Sequence, residues 1–376
     1  MLLTIVVFIF TLLVLVISHE LGHFLAAKKF GIKVLEFGFG LPPKIFGKKI
    51  GETIFSLNAL PIGGFVKLFG EDETDKDVLK NTRSFASKPV FQRIIVVVAG
   101  VVMNISLAVI LFWVVLFARG FEESIPLLTP HQFAGVNQVN ESVILIGGVA
   151  PGSPAEEAGI KGGDRVTEIN GAKLETSDQF INLAKQRSGE KLTLTLVDPG
   201  EKKRQVEVVP RVNPPEGQGP LGVEIGMVSI AHLKYETPTQ KIASGVVHSY
   251  NLTTYSFDIL GKLIATSLAT RNLEPVSQSV AGPVGITNLT SSILHTESPL
   301  IPYLNFVALL SLNLAIINIL PFPALDGGRI FFLLIEAVTR RKVKPEIERW
   351  IHTVGMALLI ALIVVITLSD IGKLLP

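Results

Sequence analysis

The stretch MLLTIVVFIFTLLVLVISHELGH, residues 1–23, governs how the rest of the chain is interpreted. Its first part is an almost unbroken run of Leu, Ile, Val and Phe, and His19, Glu20 and His23 follow directly. At a rise of about 1.5 Å per residue, such a helix approaches the roughly 30 Å of hydrocarbon in a bilayer. Basic residues appear only after the run, so a cleaved signal peptide is not favoured. Residues 1–30 are therefore predicted to form a transmembrane helix.

Three more apolar runs predict transmembrane helices, over residues 94–118, 303–328 and 350–369. Hydrophobic residues make up 48% of the chain and concentrate in these runs, which indicates a multi-pass α-helical membrane protein with four transmembrane helices. Residues 237–270 are rich in Ser, Thr, Tyr and Asn and carry apolar residues on one face. We interpret them as an amphipathic helix at the membrane surface, with a fifth span as the alternative.

Basic residues give the four spans an orientation. They cluster between the first and second spans and between the third and fourth, at Lys28, Lys29, Lys33, Arg83, Lys88, Arg93, Arg340, Arg341, Lys342 and Lys344. Because loops rich in Lys and Arg stay in the cytoplasm, the N-terminus, the C-terminus and residues 119–302 are predicted to be extracytoplasmic. A fifth span between the second and the third would place the two basic loops on opposite sides of the membrane. The formal net charge of +2 does not indicate a nucleic-acid partner.

The sequence His19-Glu20-Leu21-Gly22-His23 places two imidazoles on one helix face, since residues i and i+4 are neighbours there. A carboxylate between them can take a proton from a water, and this is the zinc-binding pattern of metalloproteases. Ionisable groups within an apolar span are costly and functional by default. The chain has no cysteine, so a metal must be held by His, Asp or Glu. The pattern predicts one catalytic Zn²⁺ per chain, with a structural metal or an ion-transport site as alternatives.

A catalytic zinc ion takes three protein ligands and keeps one position open. The candidate third ligand is Asp326, in the stretch NILPFPALDGG. The third span runs inward, so Asp326 falls near the cytoplasmic face, at the depth of His19 and His23. Pro321 and Pro323 are expected to break the helix before it. A helix-end carboxylate at the water interface is the alternative for Asp326.

Residues 135–226, between the second and third spans, show the pattern of a soluble α+β module in which Asn170-Gly171 predicts a hairpin turn. The stretch GVAPGSPAEEAGIKGGDRV, residues 148–166, resembles a PDZ domain of the bacterial protease type. The resemblance implies an inserted extracytoplasmic PDZ domain that adds a peptide as an extra strand. The residues expected to border its groove are Leu221, Gly222 and Val223. A spacer or size filter that binds no peptide is the alternative.

Residues 31–93 are predicted to form a cytoplasmic, membrane-associated β-region. Val34–Gly40, Thr53–Asn58 and Gly64–Leu68 have the composition of short strands. An edge strand near the site could hold a substrate in extended form. Proteolysis requires that form, because a transmembrane helix buries its carbonyl groups in its own hydrogen bonds. A surface hairpin that only covers the site is the alternative.

Together these motifs resemble the site-2 proteases, which are intramembrane zinc metalloproteases, and in particular the bacterial RseP-type members. The resemblance covers nearly the whole chain. It rests on HELGH, on the PDZ-like module, on Asn-x-x-Pro-x-x-x-x-Asp-Gly at residues 318–327, on AGVVMN at 99–104 and on VAGPVGI at 280–286. Some RseP-type members carry two tandem PDZ domains, whereas this length leaves room for one.

The resemblance also assigns roles to residues and names a class of substrate. The implied roles are zinc binding for His19, His23 and Asp326, general base for Glu20, substrate or oxyanion contact for Asn318, and substrate binding for Gly63, Gly64 and Phe65. Support of the backbone freed by Pro321 is the alternative role of Asn318. The implied substrates are single-span membrane proteins of the bacterial cytoplasmic membrane, such as anti-sigma factors or remnant signal peptides. An upstream site-1 protease usually cuts them first.

Two other classes of protein are alternatives to this interpretation. A metal transporter should carry polar residues at several depths along its spans, whereas here they cluster at one level. An inactive membrane scaffold built around the PDZ module would not need Glu20, since only catalysis requires it.

Overall fold

The computed structural model describes residues 2–71, 76–174, 176–199, 202–272, 281–341, 343 and 345–372. Val280 of the VAGPVGI motif and the loop charges Lys342 and Lys344 lie outside the described residues. The chain divides into two compact units. Unit 1 comprises Met1–Ala118 and Ala243–Pro376, and unit 2 comprises Arg119–Ile242.

Four helices of unit 1 are long and apolar enough to cross a membrane: α1 (Leu2–Lys29), α3 (Val90–Ala118), α8 (Leu300–Ile319) and α10 (Pro345–Gly372). They correspond to the four predicted spans. The third ends at Ile319, before the predicted limit of residue 328, because the prolines that follow cannot continue a helix. The other α-helices of the described chain, apart from two in unit 2, are α2 (Lys76–Lys80), α6 (Pro238–Thr270), α7 (Pro283–Leu294) and α9 (Asp326–Thr339), and a 3₁₀ helix spans Phe85–Ser87.

Helix α6 covers the segment predicted as an amphipathic surface helix, and it is not among the candidate spans. Its first half packs on α3. A Cβ at Gly245 would overlap the carbonyl oxygen of Val109, and the rings of His248 and Phe112 lie 5.0 Å apart. The helix therefore contacts a candidate span directly, and its depth in a membrane remains a prediction.

The β-region of unit 1 has two long strands, β1 (Val34–Ile50) and β2 (Thr53–Leu68), in place of three short ones. Bulges divide them, so that residues 36–39 pair with 54–57 on one side and with 64–67 on the other. The segment Gly64–Leu68 is therefore an edge strand, paired on one side only among the described residues.

Glu52 ties the turn between β1 and β2 to its surroundings. Its carboxylate accepts hydrogen bonds from Lys28 Nζ at 2.6 Å and from Arg83 Nη2 at 2.6 Å. These two bonds lower the pKa of Glu52 to about 2. Because the pKa is lower in the folded state, the ionised carboxylate stabilises the fold at pH values above the ordinary pKa of Glu. This stabilisation is lost as the pH falls toward 2. Glu52 therefore stays charged at neutral pH and holds the turn near the C-terminal end of α1.

Unit 2 is built on a seven-stranded sheet. The strand order is β3-β9-β4-β5-β7-β8, and β6 pairs with β5. The strands are β3 (Glu122–Leu127), β4 (Asn137–Val149), β5 (Arg165–Ile169), β6 (Ala172–Lys173), β7 (Leu192–Val197), β8 (Lys203–Val208) and β9 (Val223–Lys234). Two helices, α4 (Pro154–Glu157) and α5 (Ser177–Gln186), complete the unit, and Phe180, Leu194 and Leu196 lie in its core.

Local signals in unit 2 agree with the structure. Asn170 and Gly171 both have positive φ, as a tight hairpin turn requires, and the flanking residues pair. The unit is wider than the predicted 135–226 module, because β3 and the second half of β9 extend the sheet. Since β3 covers only Ser229–Lys234, the segment Val223–Val228 pairs with β4 alone among the described residues.

Helices α1 and α3 touch through glycine, which leads to a test. A Cβ on Gly22 would overlap the carbonyl oxygen of Ala99 and lie 2.9 Å from Gly100 Cα. Backbone atoms cannot give way as side chains do, so Gly22→Ala should lower the free energy of unfolding by roughly 1–3 kcal/mol, as overpacking usually does. Thermal unfolding of the full chain in detergent measures this.

Gly261→Ala is the matched control for that test, because an added Cβ there meets nothing within 4 Å in α6. Alanine favours a helix over glycine by about 0.5–1 kcal/mol, so this variant should be as stable as the parent chain or slightly more so. Equal destabilisation by the two substitutions would contradict a tight α1–α3 contact.

Candidate metal centre

Three side chains from distant parts of the sequence converge in unit 1. His19 and His23 are one turn apart on α1, and Asp326 is the first residue of α9. Asp326 Oδ2 lies 3.0 Å from His19 Nε2 and 3.2 Å from His23 Nε2, and the two imidazole nitrogens are 3.1 Å apart. All three side chains are largely buried, with at most 18% of their surface exposed. The three residues predicted as metal ligands are therefore brought together.

The loop between α8 and α9 places Asp326 beside the two histidines. Helix α8 stops before Pro321, and Ala324 adopts a positive φ of 78° while its N–H donates to His352 Nδ1 at 2.9 Å. A Cβ on Gly327 or on Gly328 would overlap or crowd the carbonyls of the preceding loop. Glycine is thus required where the first turn of α9 folds back against the loop before it.

A buried ion pair fixes the other end of α9. Arg93 Nη2 lies 2.5 Å from Glu336 Oε1, and both side chains are about nine-tenths buried. Arg93 Nε also donates to the carbonyl of Lys88. Removing one partner of such a pair would leave a buried charge uncompensated, so the pair holds α9 on the N-terminal part of α3.

Helix α3 supplies the surface on which the two imidazoles rest. His23 Nδ1 is 2.8 Å from the carbonyl oxygen of Val96, which can only accept, so the ring proton is on Nδ1 and the Nε2 lone pair is free for a metal. Gly100, one turn further along, has no side chain in the way: a Cβ there would overlap His23 Nε2 and lie 2.8 Å from His19 Cε1. Asn104, a turn beyond, approaches His19 Nδ1 with its amide.

The three side chains fit a zinc ion. Two ligands of a tetrahedral zinc ion with bonds of about 2.0–2.1 Å lie about 3.3 Å apart, close to the three separations observed here. Asp326 Oδ2 is buried and accepts no hydrogen bond of acceptable geometry, despite its short distances to the imidazoles. An orphaned carboxylate oxygen beside two imidazole nitrogens is explained by a cation that all three share. Among the described residues this is the one group of side chains able to hold a metal.

A cavity of about 330 Å³ opens beside these side chains. Its walls come from α1, from the edge strand of β2, from α3 and from the start of α9. The lining residues are His19, Glu20, His23, Gly64, Phe65, Val66, Lys67, Leu68, Glu71, Val96, Val97, Asp326 and Arg329. Glu20, the predicted base, therefore shares one cavity with the candidate ligands and with the edge strand.

The edge strand passes very close to Glu20. A Cβ on Gly64 would lie 2.8 Å from Val16 Cγ1 and 3.2 Å from Glu20 Cγ, so glycine permits this approach. At the end of the strand, Glu71 forms an ion pair with Arg329, one turn after Asp326 on α9. This pair connects the β-region to the helix that begins with the candidate aspartate ligand.

Other predicted site residues take less central positions. Asn318 is half-buried in the last turn of α8 and is not among the residues that line the cavity. Gly63 has a positive φ of 83° and precedes the lining segment. In unit 2, the Leu221 side chain is in the core, while Gly222 and Val223 line a separate cavity of about 460 Å³.

No role was predicted for four residues that contribute to this site: Gly100 and Asn104, which belong to the AGVVMN motif, and Glu71 and Arg329. For Asn104 a signal was present, since a lone amide in an apolar span is costly without a partner. Gly100 precedes it by one helical turn, on the same face. The ion pair between Glu71 and Arg329 depends on tertiary structure and leaves no local signal.

Comparisons with known proteins identify the family of this chain. The chain matches the family model of peptidase family M50 over residues 7–362. A Clostridium perfringens protein named as a zinc metalloprotease is 37% identical over 95% of both chains. The zinc metalloprotease RasP of Geobacillus kaustophilus is 29% identical over 98% of both, and the regulator of sigma-W protease RasP of Bacillus subtilis is 28% identical over 99% of both.

A solved PDZ domain of an SdrC-like protein from Listeria monocytogenes aligns with 26% of this chain and 93% of its own, at 20% identity and a TM-score of 0.20. The match to the family model spans nearly the whole sequence and includes both predicted metal-binding segments. The chain therefore belongs to peptidase family M50, the site-2 proteases, and is a membrane zinc metalloendopeptidase.

Proposed function

We propose that this chain cuts single-span membrane proteins within or near the bilayer, using one zinc ion held by His19, His23 and Asp326. The observation that carries the proposal is the convergence of these three side chains with Glu20 in one cavity beside an edge strand. When bound, a zinc ion lowers the pKa of a water toward 7 and polarises a carbonyl group. The other chemical tasks fall to residues of the chain.

Glu20 acts as the general base. It lies between the two imidazoles in sequence and lines the same cavity. Its carboxylate takes a proton from the attacking water and passes it to the departing amine, so that one group serves as base and then as acid. Asn318 donates its amide to the substrate or to the developing oxyanion, and this role requires movement of the substrate or of the end of α8 toward the cavity.

The edge strand Gly64–Leu68 binds the substrate by strand addition. It is paired on one side only among the described residues, and it lines the cavity that also contains Glu20 and the proposed zinc ligands. A peptide that pairs with it is fully extended, which frees the scissile carbonyl from helical hydrogen bonds. Gly63 and Gly64 allow the strand to bend close to α1, and Phe65 lines the cavity.

The PDZ-like unit selects or orients substrates outside the membrane. The segment Val223–Val228 has one unpaired side among the described residues, as peptide addition to a sheet requires. Gly222 has a positive φ of 72°, and a Cβ there would overlap Ser153, so the loop before β9 depends on glycine. The backbone of Leu221-Gly222-Val223 borders the groove in this proposal.

The biological setting proposed is the bacterial cytoplasmic membrane. The N-terminus, the C-terminus and the PDZ-like unit are extracytoplasmic, as the distribution of Lys and Arg favours. The substrates are anti-sigma factors or remnant signal peptides, shortened first by a site-1 protease. The name of the Bacillus subtilis relative, regulator of sigma-W protease, supports an anti-sigma factor among them. The helix α6 at the membrane surface limits access to the site.

Glu20→Gln separates catalysis from metal binding. The amide has nearly the same shape but cannot take a proton, so cleavage of a tagged single-span substrate should fall by at least about 100-fold, the scale of general acid–base catalysis. The variant should keep the zinc content of the parent chain. Asp326→Asn and His23→Ala should instead lose zinc, because each removes a proposed ligand. Cleavage by Glu20→Gln at the parental rate, or absence of zinc from the parent chain, would refute the mechanism.

Gly64→Ala tests the proposed substrate strand. The added Cβ would press on Val16 and Glu20, so turnover should fall by about 10-fold or more through misplacement of substrate against base. Zinc content should not change, since the three atoms nearest to the added Cβ belong to Val16, Gly38 and Glu20, none of which is a proposed ligand. Gly47→Ala in β1 is the control, because its Cβ would meet only contacts of 3.4 Å or longer. Equal turnover by the two variants would argue against a substrate in this position.

Val223→Arg tests the proposed groove of unit 2. A long charged side chain at the start of β9 should weaken strand addition, so discrimination between substrates with different extracytoplasmic ends should decrease while zinc content stays constant. Val139→Arg on β4 provides a matched control, because Val139 is already 69% exposed. Unchanged substrate selection in Val223→Arg would leave the unit as a spacer or size filter.

A further inference from the structure

Asn104 is a buried amide that the proposed mechanism leaves unexplained. It lies in α3 with no exposed surface, and its Nδ2 is 3.3 Å from His19 Nδ1. Its Oδ1 is buried and has no hydrogen-bond partner among the residues that the structure describes. A buried amide oxygen without a partner is destabilising, so a function is expected to compensate for it.

The hydrogen bond to His19 determines which ring nitrogen carries the proton. A neutral imidazole has one N–H donor and one acceptor nitrogen. With the amide nitrogen of Asn104 facing Nδ1, Nδ1 accepts, and the ring proton is on Nε2. Nε2 is the atom that lies 3.0 Å from Asp326. In this tautomer Nε2 carries the ring proton, so it has no lone pair to offer to a metal ion.

Metal binding requires the opposite tautomer. The lone pair of Nε2 is then directed at the ion, and the proton moves to Nδ1, where it needs an acceptor. A half-turn of the Asn104 amide exchanges its nitrogen for its oxygen, which have nearly the same size. The orphaned Oδ1 then accepts from Nδ1–H. One amide therefore satisfies His19 in both the metal-free and the metal-bound state.

We propose that Asn104 is the positioning residue of His19 and fixes its metal-binding tautomer through Oδ1, an inference that rests on the proposed zinc site. The neighbouring hydrogen bond from Ser311 Oγ to the backbone carbonyl of Asn104, at 2.8 Å, does not involve the side-chain amide. Helix α3 therefore provides each imidazole with a different kind of hydrogen-bond partner. His23 has a fixed acceptor in the Val96 carbonyl, which admits one tautomer, whereas His19 has a reversible partner.

The reversible hydrogen bond to His19 predicts how substitutions of Asn104 should change the zinc affinity. A partner that hydrogen-bonds a ligating imidazole typically contributes 10- to 100-fold to metal affinity. Because the amide of Asn104 can also stabilise the metal-free tautomer, it favours the bound state less than an acceptor-only group would. Replacing it by a carboxylate should therefore preserve or increase zinc affinity, whereas an apolar group of similar size should decrease it.

The test measures the zinc dissociation constant of the full chain in detergent by competition with a chelator, for the parent and for Asn104→Leu, Asn104→Asp and Ser311→Ala. Asn104→Leu should bind zinc about 10- to 100-fold more weakly. Asn104→Asp should bind at least as tightly as the parent. Ser311→Ala removes a neighbouring buried hydrogen bond but leaves the amide, so thermal stability should fall while zinc affinity stays constant. The absorption spectrum of the Co²⁺-substituted chain should shift in the Asn104 variants and not in Ser311→Ala.

Parental zinc affinity in Asn104→Leu would overturn the inference and leave the zinc site intact. The same loss of affinity in Asn104→Asp as in Asn104→Leu would also overturn it, because an acceptor would then confer no advantage. If Asn104→Leu fails to fold, the Asp variant and its Co²⁺ spectrum still decide. A parent chain that binds no zinc would instead refute the proposed function itself.

Discussion

The structure depends on one constraint, that ionisable side chains buried in an apolar helix must find partners. His19, Glu20 and His23 lie in a helix that is otherwise suited to hydrocarbon, where unpartnered groups of this kind are costly. The partner is Asp326, more than three hundred residues away in sequence, and its carboxylate would be equally costly alone. The fold brings these groups together, and the zinc ion proposed to bind His19, His23 and Asp326 would offset the cost of burying the three ligands.

Much of the surrounding structure keeps His19, His23 and Asp326 close together. Gly22 and Gly100 remove side chains where α1 meets α3, so the imidazoles lie against helix backbone. The loop before α9 folds tightly against glycine, and its Ala324 N–H donates a hydrogen bond to His352 Nδ1. The buried pair of Arg93 and Glu336 then anchors α9 further along. Metal ligands held by helices that cannot separate or slide need little reorganisation when an ion binds, which favours both affinity and geometry.

The sequence was sufficient for those parts that local chemistry specifies. Apolar runs predicted the four spans, HELGH predicted two ligands on one helix face, and Pro321 and Pro323 predicted the break that precedes Asp326. The segments that were missed depend on tertiary contacts. Helices α7 and α9 are short and have neither the length nor the composition of a span, and β1 and β2 join short segments through bulges that no residue pattern specifies. The contacts of Gly100 and Asn104 with the imidazoles become visible only once α3 is placed against α1.

The edge strand has a consequence for how a substrate would be chosen. Backbone amides are common to all peptides, so a strand that binds through them, as proposed for Gly64–Leu68, does not distinguish one side chain from another. The discriminating quantity is then the free energy needed to convert a helix in the membrane into an extended segment. Spans interrupted by glycine, proline or polar residues require less of it. On this basis the protease would sort its substrates by the stability of their helices, and a protein with a strongly helical, uninterrupted span would escape cleavage without any specific signal.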